Sequence, residues 1–198
     1  PVPASCEQRA IADYLDEKTA EIDTIVSQTE RSIELLREYR KSVISEAITK
    51  GLDPDAPMKD SGIEWIGEIP DTCRIIPLKH LVDTVESGKS IDGAHYPASK
   101  DEIGILTLSA VFQGVFRKSE NKAILPKDND KVSCKLRKGS LLISRCNTSD
   151  WVGTAAYVSE DHENLYLPDK LWQLRFKSDY LTRFIQFSLS SKPSRSYF

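Results

Sequence analysis

A single uninterrupted helical pattern opens the chain, running from about Cys6 to Lys50. Ser5 and Gln8 have the spacing of a capping box, in which each side chain bonds the backbone N–H of the other residue. At the far end Lys50 precedes Gly51 and Pro54, which is the usual order of basic last turn, left-handed glycine cap and helix-stopping proline. These signals predict one helix of roughly 65 Å, at about 1.5 Å per residue.

Apolar side chains recur along this helix at the intervals of a coiled coil. A helix so much longer than the ~11–12 residue mean of globular proteins needs a partner for its apolar side. We expect that partner to lie on another chain or in a segment beyond the printed sequence; a helix folded along its own domain is the alternative. The predicted pairing stripe consists of Leu15, Ile22, Ile25, Val26, Ile33, Leu36, Tyr39 and Val43.

The composition is that of a globular chain of one or two domains, with 198 residues of which 39% are hydrophobic. No apolar run approaches the ~20 residues needed to cross a bilayer, and the first residues lack the order of a secretory signal. We therefore expect a cytoplasmic protein without a membrane partner. The four cysteines are widely separated, so isolated reduced thiols are expected rather than a zinc site or a disulfide framework.

Charge is divided unequally along the chain. Residues 1–72 contain 8 basic and 16 acidic residues, a balance of −8, whereas residues 73–198 contain 19 basic and 14 acidic residues, a balance of +5. Such asymmetry favours a polyanionic partner for the second part. A scattered, solvated surface has the same composition, so charge alone leaves both interpretations open.

A turn-rich linker separates the helix from a region of mixed secondary structure. Within this linker we expect Trp65 and Ile69 to pack onto the following domain. Stretches rich in β-forming residues follow at 75–76, 103–108, 111–116, 141–144, 154–158 and 171–176, and residues 179–190 return to helical spacing. The predicted fold class is α+β: a coiled-coil-type helix at 1–51, the linker at 52–72, and a mixed α/β domain at 73–198.

The sequence contains no phosphate-binding loop, dinucleotide-binding fingerprint or nucleophile elbow. Glu120 and Lys122 have the acid-x-lysine order of a nuclease metal site, but the preceding Pro-Asp on an apolar strand is missing. A charged turn is the commoner explanation. His95 and His162 have no serine or cysteine partner at an informative spacing. We therefore predict no enzyme, no metal site and no cofactor.

Several segments, taken in order, resemble one known family. Residues 7–23 and 36–51 resemble the conserved spacer helix of the specificity subunit of Type I restriction-modification enzymes. Residues 58–70 are similar to the start of that family's second target-recognition domain. Residues 142–153 and 167–175 resemble core motifs that recur in such domains. These matches touch nearly the whole chain.

Two features depart from the family's pattern. Cys73 stands where the family commonly has a tryptophan, so a packing anchor there is weakened or supplied by Trp65. The family's full-length subunit has two recognition domains and two spacer helices, whereas this chain resembles the central helix and most of the second domain. We expect residues 73–198 to be a target-recognition domain that is incomplete at its C-terminal end.

The resemblance implies a subunit that recognises DNA and is not itself an enzyme. In the family each recognition domain reads one half of a split double-stranded DNA target, antiparallel spacer helices fix the distance between the halves, and methyltransferase and restriction subunits act around them. Phosphate contacts come from basic side chains, and base contacts from polar side chains on loops in the major groove. For Arg145, Asn147 and Lys170 a role in holding the fold together is an equal alternative. The candidate DNA-binding residues are Lys89, Ser90, Gln113, Arg117, Lys118, Arg145, Asn147, Thr148 and Lys170.

The acidic helix is expected to face protein, because its negative charge repels DNA. Glu17, Glu21 and Asp23 are the predicted methyltransferase-docking residues. We also expect two copies of the chain to form an antiparallel homodimer through the pairing stripe, which sets acidic first halves beside basic second halves. The alternative functions are a coiled-coil scaffold that binds only protein, and a nuclease that uses Glu120 and Lys122.

Overall fold

The computed structural model describes residues 2–64, 66–148 and 151–190. The chain divides into two compact units, one up to Val43 and the other from Ile44 onward, and the division falls within helix α1 (Ser5–Lys50). The predicted segment boundaries after residues 51 and 72 stay a prediction. In the described part of the chain, no helix combines the length and apolar character needed to cross a membrane.

Helix α1 begins one residue earlier than predicted, and its first turn corrects the capping-box prediction. The backbone N–H of Gln8 donates to the carbonyl of Ala4 at 2.9 Å, and the Gln8 side chain donates to the carbonyl of Pro3 at 2.7 Å. The predicted box is wrong because Ser5 is already helical and does not occupy the capping position. At the other end Gly51 has a φ of 77°, which confirms the left-handed glycine cap.

The linker contains a two-stranded antiparallel sheet of β1 (Met58–Asp60) and β2 (Glu68–Pro70). Lys59 pairs with Ile69, and its ammonium donates to the carbonyl of Asp71 at 2.5 Å. Ile69 is buried, as expected of an apolar anchor. The predicted packing of Trp65 concerns a residue outside the described ranges.

Seven further strands and a second helix belong to the second unit. They are β3 (Val82–Ser87), β4 (Gly104–Leu106), β5 (Asn121–Ala123), β6 (Leu141–Ser144), β7 (Ala155–Tyr157), β8 (Leu165–Tyr166), β9 (Leu171–Phe176) and α2 (Asp179–Ser190). A four-stranded antiparallel sheet has the order β3-β9-β6-β7. A three-stranded sheet has the order β5-β4-β8, in which β4 and β8 are parallel. Short 3-10 segments lie at Leu78–His80, Leu108–Gly114 and Pro126–Lys131.

Two of the predicted strands are wrong. Ile75 and Ile76 form no strand and are exposed, and Pro77, which has no N–H for a strand ladder, follows them directly. Residues 111–116 form no strand either: residues 111–114 belong to the 3-10 segment Leu108–Gly114, and Gln113 and Gly114 have φ values of 58° and 76°, outside the strand region. The predicted bounds of β6, β9 and α2 are confirmed, and β4 and β7 lie within longer predicted segments.

Two apolar clusters form the core of the second unit. One includes Leu142 and Leu171, and the other includes Leu141, Leu174 and Ile185 of α2. Successive residues of a strand point to opposite faces of the sheet, so β6 supplies a fully buried leucine to each cluster. The predicted fold class, a long helix followed by a mixed α/β domain, is confirmed.

Gln173 on β9 is a fully buried polar residue whose side chain makes several hydrogen bonds. Its carbonyl oxygen accepts from the N–H of Arg137 at 2.9 Å and from the hydroxyl of Ser140 at 3.0 Å. Its amide nitrogen donates to a Glu86 carboxylate oxygen at 3.0 Å and to the Lys135 carbonyl at 3.2 Å. A satisfied buried amide fixes one arrangement of the segments around it, here β3, β9 and the chain before β6.

Candidate nucleic-acid interface

Three loops meet at one edge of the four-stranded sheet. Strand β3 ends at Ser87 and β6 ends at Ser144, and the register pairs these residues with Trp172 and Leu171, at the start of β9. Antiparallel pairing therefore places the loops after β3, after β6 and before β9 side by side. These loops contain six exposed candidates, which we call the loop edge: Lys89, Ser90, Arg145, Asn147, Thr148 and Lys170.

Main-chain contacts join the three loops. The N–H of Gly88 donates to the carbonyl of Pro168 at 3.2 Å, and the N–H of Arg145 donates to the carbonyl of Lys170 at 2.9 Å. A Cβ atom on Gly88 would lie 1.6 Å from the carbonyl oxygen of Leu167, far inside van der Waals contact. This close crossing therefore requires glycine.

Arg145 is exposed and also contacts the fold. Its guanidinium lies 4.8 Å from the centroid of the Trp172 ring, and its Nη1 donates to the carbonyl of Asp169 at 3.4 Å. An arginine stacked on a ring keeps further N–H donors in the guanidinium plane. DNA contact and fold support therefore both stay predictions for this residue.

Side-chain hydrogen bonds shape the loop after β6. The N–H of Cys146 donates to the hydroxyl of Ser144 at 3.2 Å, and the Cys146 sulfur lies 3.3 Å from the hydroxyl oxygen of Thr148. Hydrogen bonding with Thr148 lowers the pKa of the Cys146 thiol, and the nearby charge of Lys170 adds a smaller effect. All four cysteines of the chain are free thiols.

An aromatic cluster lies next to the loop edge. The rings of Phe112 and Trp151 have centroids 5.0 Å apart, and the guanidinium of Arg117 lies 5.8 Å from the Phe112 centroid. The N–H of Trp151 donates to the carbonyl of Thr148 at 3.0 Å, which links this cluster to the loop edge. We call the following residues the aromatic turn: Phe112, Gln113, Arg117, Lys118 and Trp151.

The nine candidate DNA-binding residues therefore lie in one connected set of loops, and all nine are exposed. Sequence reasoning missed the aromatic side chains of Phe112, Trp151 and Trp172 that support them. The sequence feature that could have identified one of them is the position of Trp151, shortly after the candidates Asn147 and Thr148 in a family-like motif.

One histidine beside the aromatic turn contributes little positive charge to this surface. The ring of His162 lies 5.4 Å from that of Phe116, centroid to centroid. Burial, followed by the charge of Lys118, holds the pKa of His162 below its usual value, so its neutral form predominates at pH 7. The positive charge of the surface comes from lysine and arginine.

Glu120 and Lys122, the residues of the nuclease alternative, line one cleft of about 390 Å³ with mostly polar walls. Asn121 between them is buried and structural: it accepts from the N–H of Ala98 at 2.8 Å and donates to the carbonyl of Lys118 at 2.7 Å. Within residues 2–64, 66–148 and 151–190, no three His, Cys, Asp or Glu side chains are grouped so as to hold a metal ion. The acid-x-lysine pair thus lacks companion ligands in the described part of the chain.

The pairing stripe on α1 is exposed along its whole length. Its eight side chains range from 44% exposed at Ile33 to 68% exposed at Tyr39. Ile11, Tyr14 and Leu35 of the same helix are also exposed apolar residues. Because water contact with so many large apolar side chains is unfavourable, this stripe is suited to pairing with another apolar surface.

The predicted docking residues Glu17, Glu21 and Asp23 are exposed on α1. Glu21 forms an ion pair with Lys18, with 2.8 Å between Oε2 and Nζ. Exposed pairs of this kind contribute little to stability, so Glu21 remains available to a partner's cation.

Comparison with known proteins identifies relatives, although no family profile matches the chain. Over 205 aligned residues the chain is 25% identical to the protein described as "Type I restriction enzyme EcoKI specificity subunit" of Escherichia coli K12. That match covers 99% of this chain and 40% of the relative. The chain is a homologue of Type I restriction enzyme specificity subunits. The resemblance found in the sequence is confirmed.

A second homologue is the "Type I restriction enzyme MjaVIII specificity subunit" of Methanocaldococcus jannaschii, 33% identical over 89 residues that cover 45% of this chain and 19% of that protein. One similar solved structure is described as showing complex assembly and conformational transition of the type I R-M system. Its TM-score is 0.48 and its sequence identity 17%, and the match covers 100% of this chain and 44% of the solved chain. The HsdS subunit from Thermoanaerobacter tengcongensis has a TM-score of 0.43 at 18% identity, covering 98% and 44%. The chain thus spans less than half the length of these proteins.

Proposed function

We propose that this chain is a DNA-recognition part of a Type I restriction-modification complex and reads one half of a bipartite double-stranded target. The main support is the loop edge and the adjoining aromatic turn, which gather nine exposed candidate residues on one connected set of loops. Homology to specificity subunits supports the same function.

The candidates divide by their chemistry. The five lysines and arginines supply the charge that neutralises phosphates and releases counterions, which gives affinity that falls with salt. The four uncharged residues offer donors and acceptors to base edges in the major groove. Phosphate contacts and base contacts are both non-covalent. We therefore propose a non-catalytic subunit without a cofactor.

Helix α1 is proposed to act as a spacer between the two halves of the target. Its 46 residues span roughly 70 Å at about 1.5 Å per residue, which is close to two turns of B-DNA at ~34 Å each. Methyltransferase and restriction subunits are the proposed partners that carry out catalysis. Because DNA and partners must share a compartment with the chain, we propose a cytoplasmic location.

Retardation of duplex DNA at ~50 mM salt tests this function, since electrostatic binding is strong under that condition. We expect the chain alone to retard DNA weakly and with little sequence preference, because it holds only half of the contacts. Its complex with the methyltransferase subunit should bind specifically. If neither retards DNA, the proposal is wrong and the protein-binding scaffold becomes the better hypothesis.

The acidic face of α1 is proposed to dock methyltransferase subunits. Replacing Glu17, Glu21 and Asp23 together by lysine should weaken that complex about tenfold or more, because every 1.4 kcal/mol of lost charge complementarity is tenfold in Kd. Titration calorimetry of the chain with the methyltransferase subunit measures the effect. DNA retardation by the variant alone should not fall.

The matched control reverses three other exposed acids of the same helix, Glu30, Glu34 and Glu38. This variant has the same net charge and should retain assembly. Unchanged affinity on reversal of Glu17, Glu21 and Asp23 would count against the docking site. Equal weakening by both variants would indicate a response to total charge rather than to a site.

We further propose that the 198-residue chain forms an antiparallel homodimer through the pairing stripe. Support comes from the exposure of all eight stripe residues and from the charge distribution on α1, acidic in its first half and basic near its end. Antiparallel pairing brings these opposite charges together, whereas parallel pairing sets like charges side by side.

A further inference from the structure

Residues Phe112 to Val115 form a tight turn of an unusual kind. The N–H of Val115 donates to the carbonyl of Phe112 at 3.4 Å, and the two residues between them both have positive φ. Gln113 has φ 58° and ψ 25°, and Gly114 has φ 76°. This is the geometry of a type I′ turn, which strongly favours Asn, Asp or Gly at its central positions.

Gln113 is the one non-glycine residue with positive φ in the described part of the chain. Asparagine is enriched in this conformation because its short side chain can hydrogen-bond the local backbone. The glutamine side chain is one methylene longer and does not share this advantage. Unfavourable backbone conformations of this kind cluster at functional sites, where the surrounding structure maintains them. We therefore expect the glutamine at this position to have a function that depends on its surroundings.

The surroundings fix the turn firmly. The side-chain amide of Gln186 on α2 donates to the carbonyl of Gly114 at 2.8 Å, and the N–H of Arg117 donates to the carbonyl of Ala110 at 2.9 Å. Phe112 packs on Trp151 and lies beneath the guanidinium of Arg117. The backbone before, within and after the turn is thus held by separate contacts.

The side chain of Gln113 contrasts with this fixed backbone. It is exposed, and its amide has no hydrogen-bond partner among residues 2–64, 66–148 and 151–190. The amide offers a donor and an acceptor in one plane, which is the pattern that pairs with N7 and the N6 amino group of adenine in the major groove. Arg117 and Lys118, four and five positions along, can contact the neighbouring phosphates.

We propose that Gln113 is a specificity-determining residue that reads one adenine of the DNA target through its side-chain amide. This inference rests on the proposed function and names the contact that one residue makes within it. The fixed turn matters because the backbone at Gln113 needs no ordering when DNA binds, so only the rotamers of its side chain must be fixed to form the two hydrogen bonds.

Selection of bound duplexes from a randomised pool, with the chain in complex with its methyltransferase subunits, tests the inference. Wild type should enrich a motif with adenine at one position contacted by Gln113. Gln113→Ala should reduce discrimination at that position alone by between about fivefold and 150-fold, the range expected when one bidentate base pairing is removed. Gln113→Arg should shift the preference there to guanine, which arginine recognises through O6 and N7.

Gln113→Gly separates the base contact from the fold. Glycine adopts positive φ without strain, so this variant keeps the turn and should still lose the adenine preference. Gln28→Ala removes the same amide from an exposed position on α1 and should leave the motif unchanged. Replacing the mapped adenine by 7-deazaadenine, which lacks the N7 acceptor, should weaken wild-type binding and leave the binding of Gln113→Ala unaltered.

The two proposals fail in different ways. A wild-type complex that enriches no motif overturns the DNA-recognition function and this inference with it. A wild-type motif that every Gln113 variant reproduces leaves the function standing and overturns the role of Gln113. Weaker assembly with an unchanged motif assigns Gln113 to a protein contact and likewise overturns it.

Discussion

Removing the charges of Lys89, Arg145 and Lys170 together should lower the DNA affinity of the chain in its methyltransferase complex by on the order of 10²- to 10³-fold at ~50 mM salt. Each phosphate contact releases counterions and contributes about tenfold at this salt concentration. The two lysines are replaced by alanine, and Arg145 is replaced by glutamine, which is uncharged and keeps N–H donors on the side chain. The slope of log affinity against log salt should become shallower by about 0.9 for each phosphate that is no longer neutralised.

Three lysines at the opposite edge of the same sheet provide a matched control. Lys79 precedes β3, Lys138 precedes β6 and Lys177 follows β9, and all three are exposed. Their replacement by alanine removes the same charge from the same domain. An equal loss of affinity in both variants, measured by fluorescence anisotropy across a salt series, would mean that total charge rather than the loop edge binds DNA.

Replacing Ile22 and Leu36 by glutamate should convert a dimer into a monomer of about 22.3 kDa. Fully burying an apolar side chain of this size is worth on the order of 1.5–3 kcal/mol, and the exposed stripe offers eight of them from each copy. A glutamate in the middle of a paired stripe does not contribute this burial energy, and its carboxylate must also be removed from water, which is unfavourable. Light scattering at tens of micromolar measures the change in mass.

Glutamates on the other face of α1 distinguish loss of pairing from general repulsion. Ala20 and Ser27 are exposed, and helical spacing places position 20 opposite Ile22 with position 27 seven residues further along. Their replacement by glutamate adds equal charge and should leave the dimer intact. A wild-type mass of one chain, unchanged by Ile22→Glu with Leu36→Glu, would rule out the homodimer and favour a helix folded along its own domain.

The elements that could be predicted are those that short stretches of sequence specify. Strands β6 and β9 are runs of β-forming residues between turn residues, and α2 repeats Leu181, Ile185 and Leu189 at helical spacing. Segment 111–116 has similar composition, yet its predicted strand is wrong, because Gln113 and Gly114 turn the chain just after Val111 has entered the core. Glutamine carries no sequence signal for positive φ, so the sequence alone does not predict this turn.

The candidate residues could be selected from the sequence as polar and basic positions in family-like motifs and loops. Their arrangement in space could not be predicted from it. The crossing of Gly88 over Leu167 and the packing of Phe112 on Trp151 join segments that are far apart in the sequence. Such contacts depend on sheet order, and periodicity alone does not specify which strand becomes the neighbour of which. The roles of the individual candidate residues stay predictions.

Under the proposed function, the crossing at Gly88 also bears on how the recognised DNA target can change. Two main-chain bonds, Gly88 N–H to the Pro168 carbonyl and Arg145 N–H to the Lys170 carbonyl, join the loops at this edge, and the side chains of Ser144 and Thr148 bond within the loop after β6. Substitutions that leave those bonds in place can therefore exchange the exposed side chains at positions 89, 90, 147 and 170 while the loops keep their shape. If these four positions contact DNA as proposed, the target preference can therefore change while the fold stays the same.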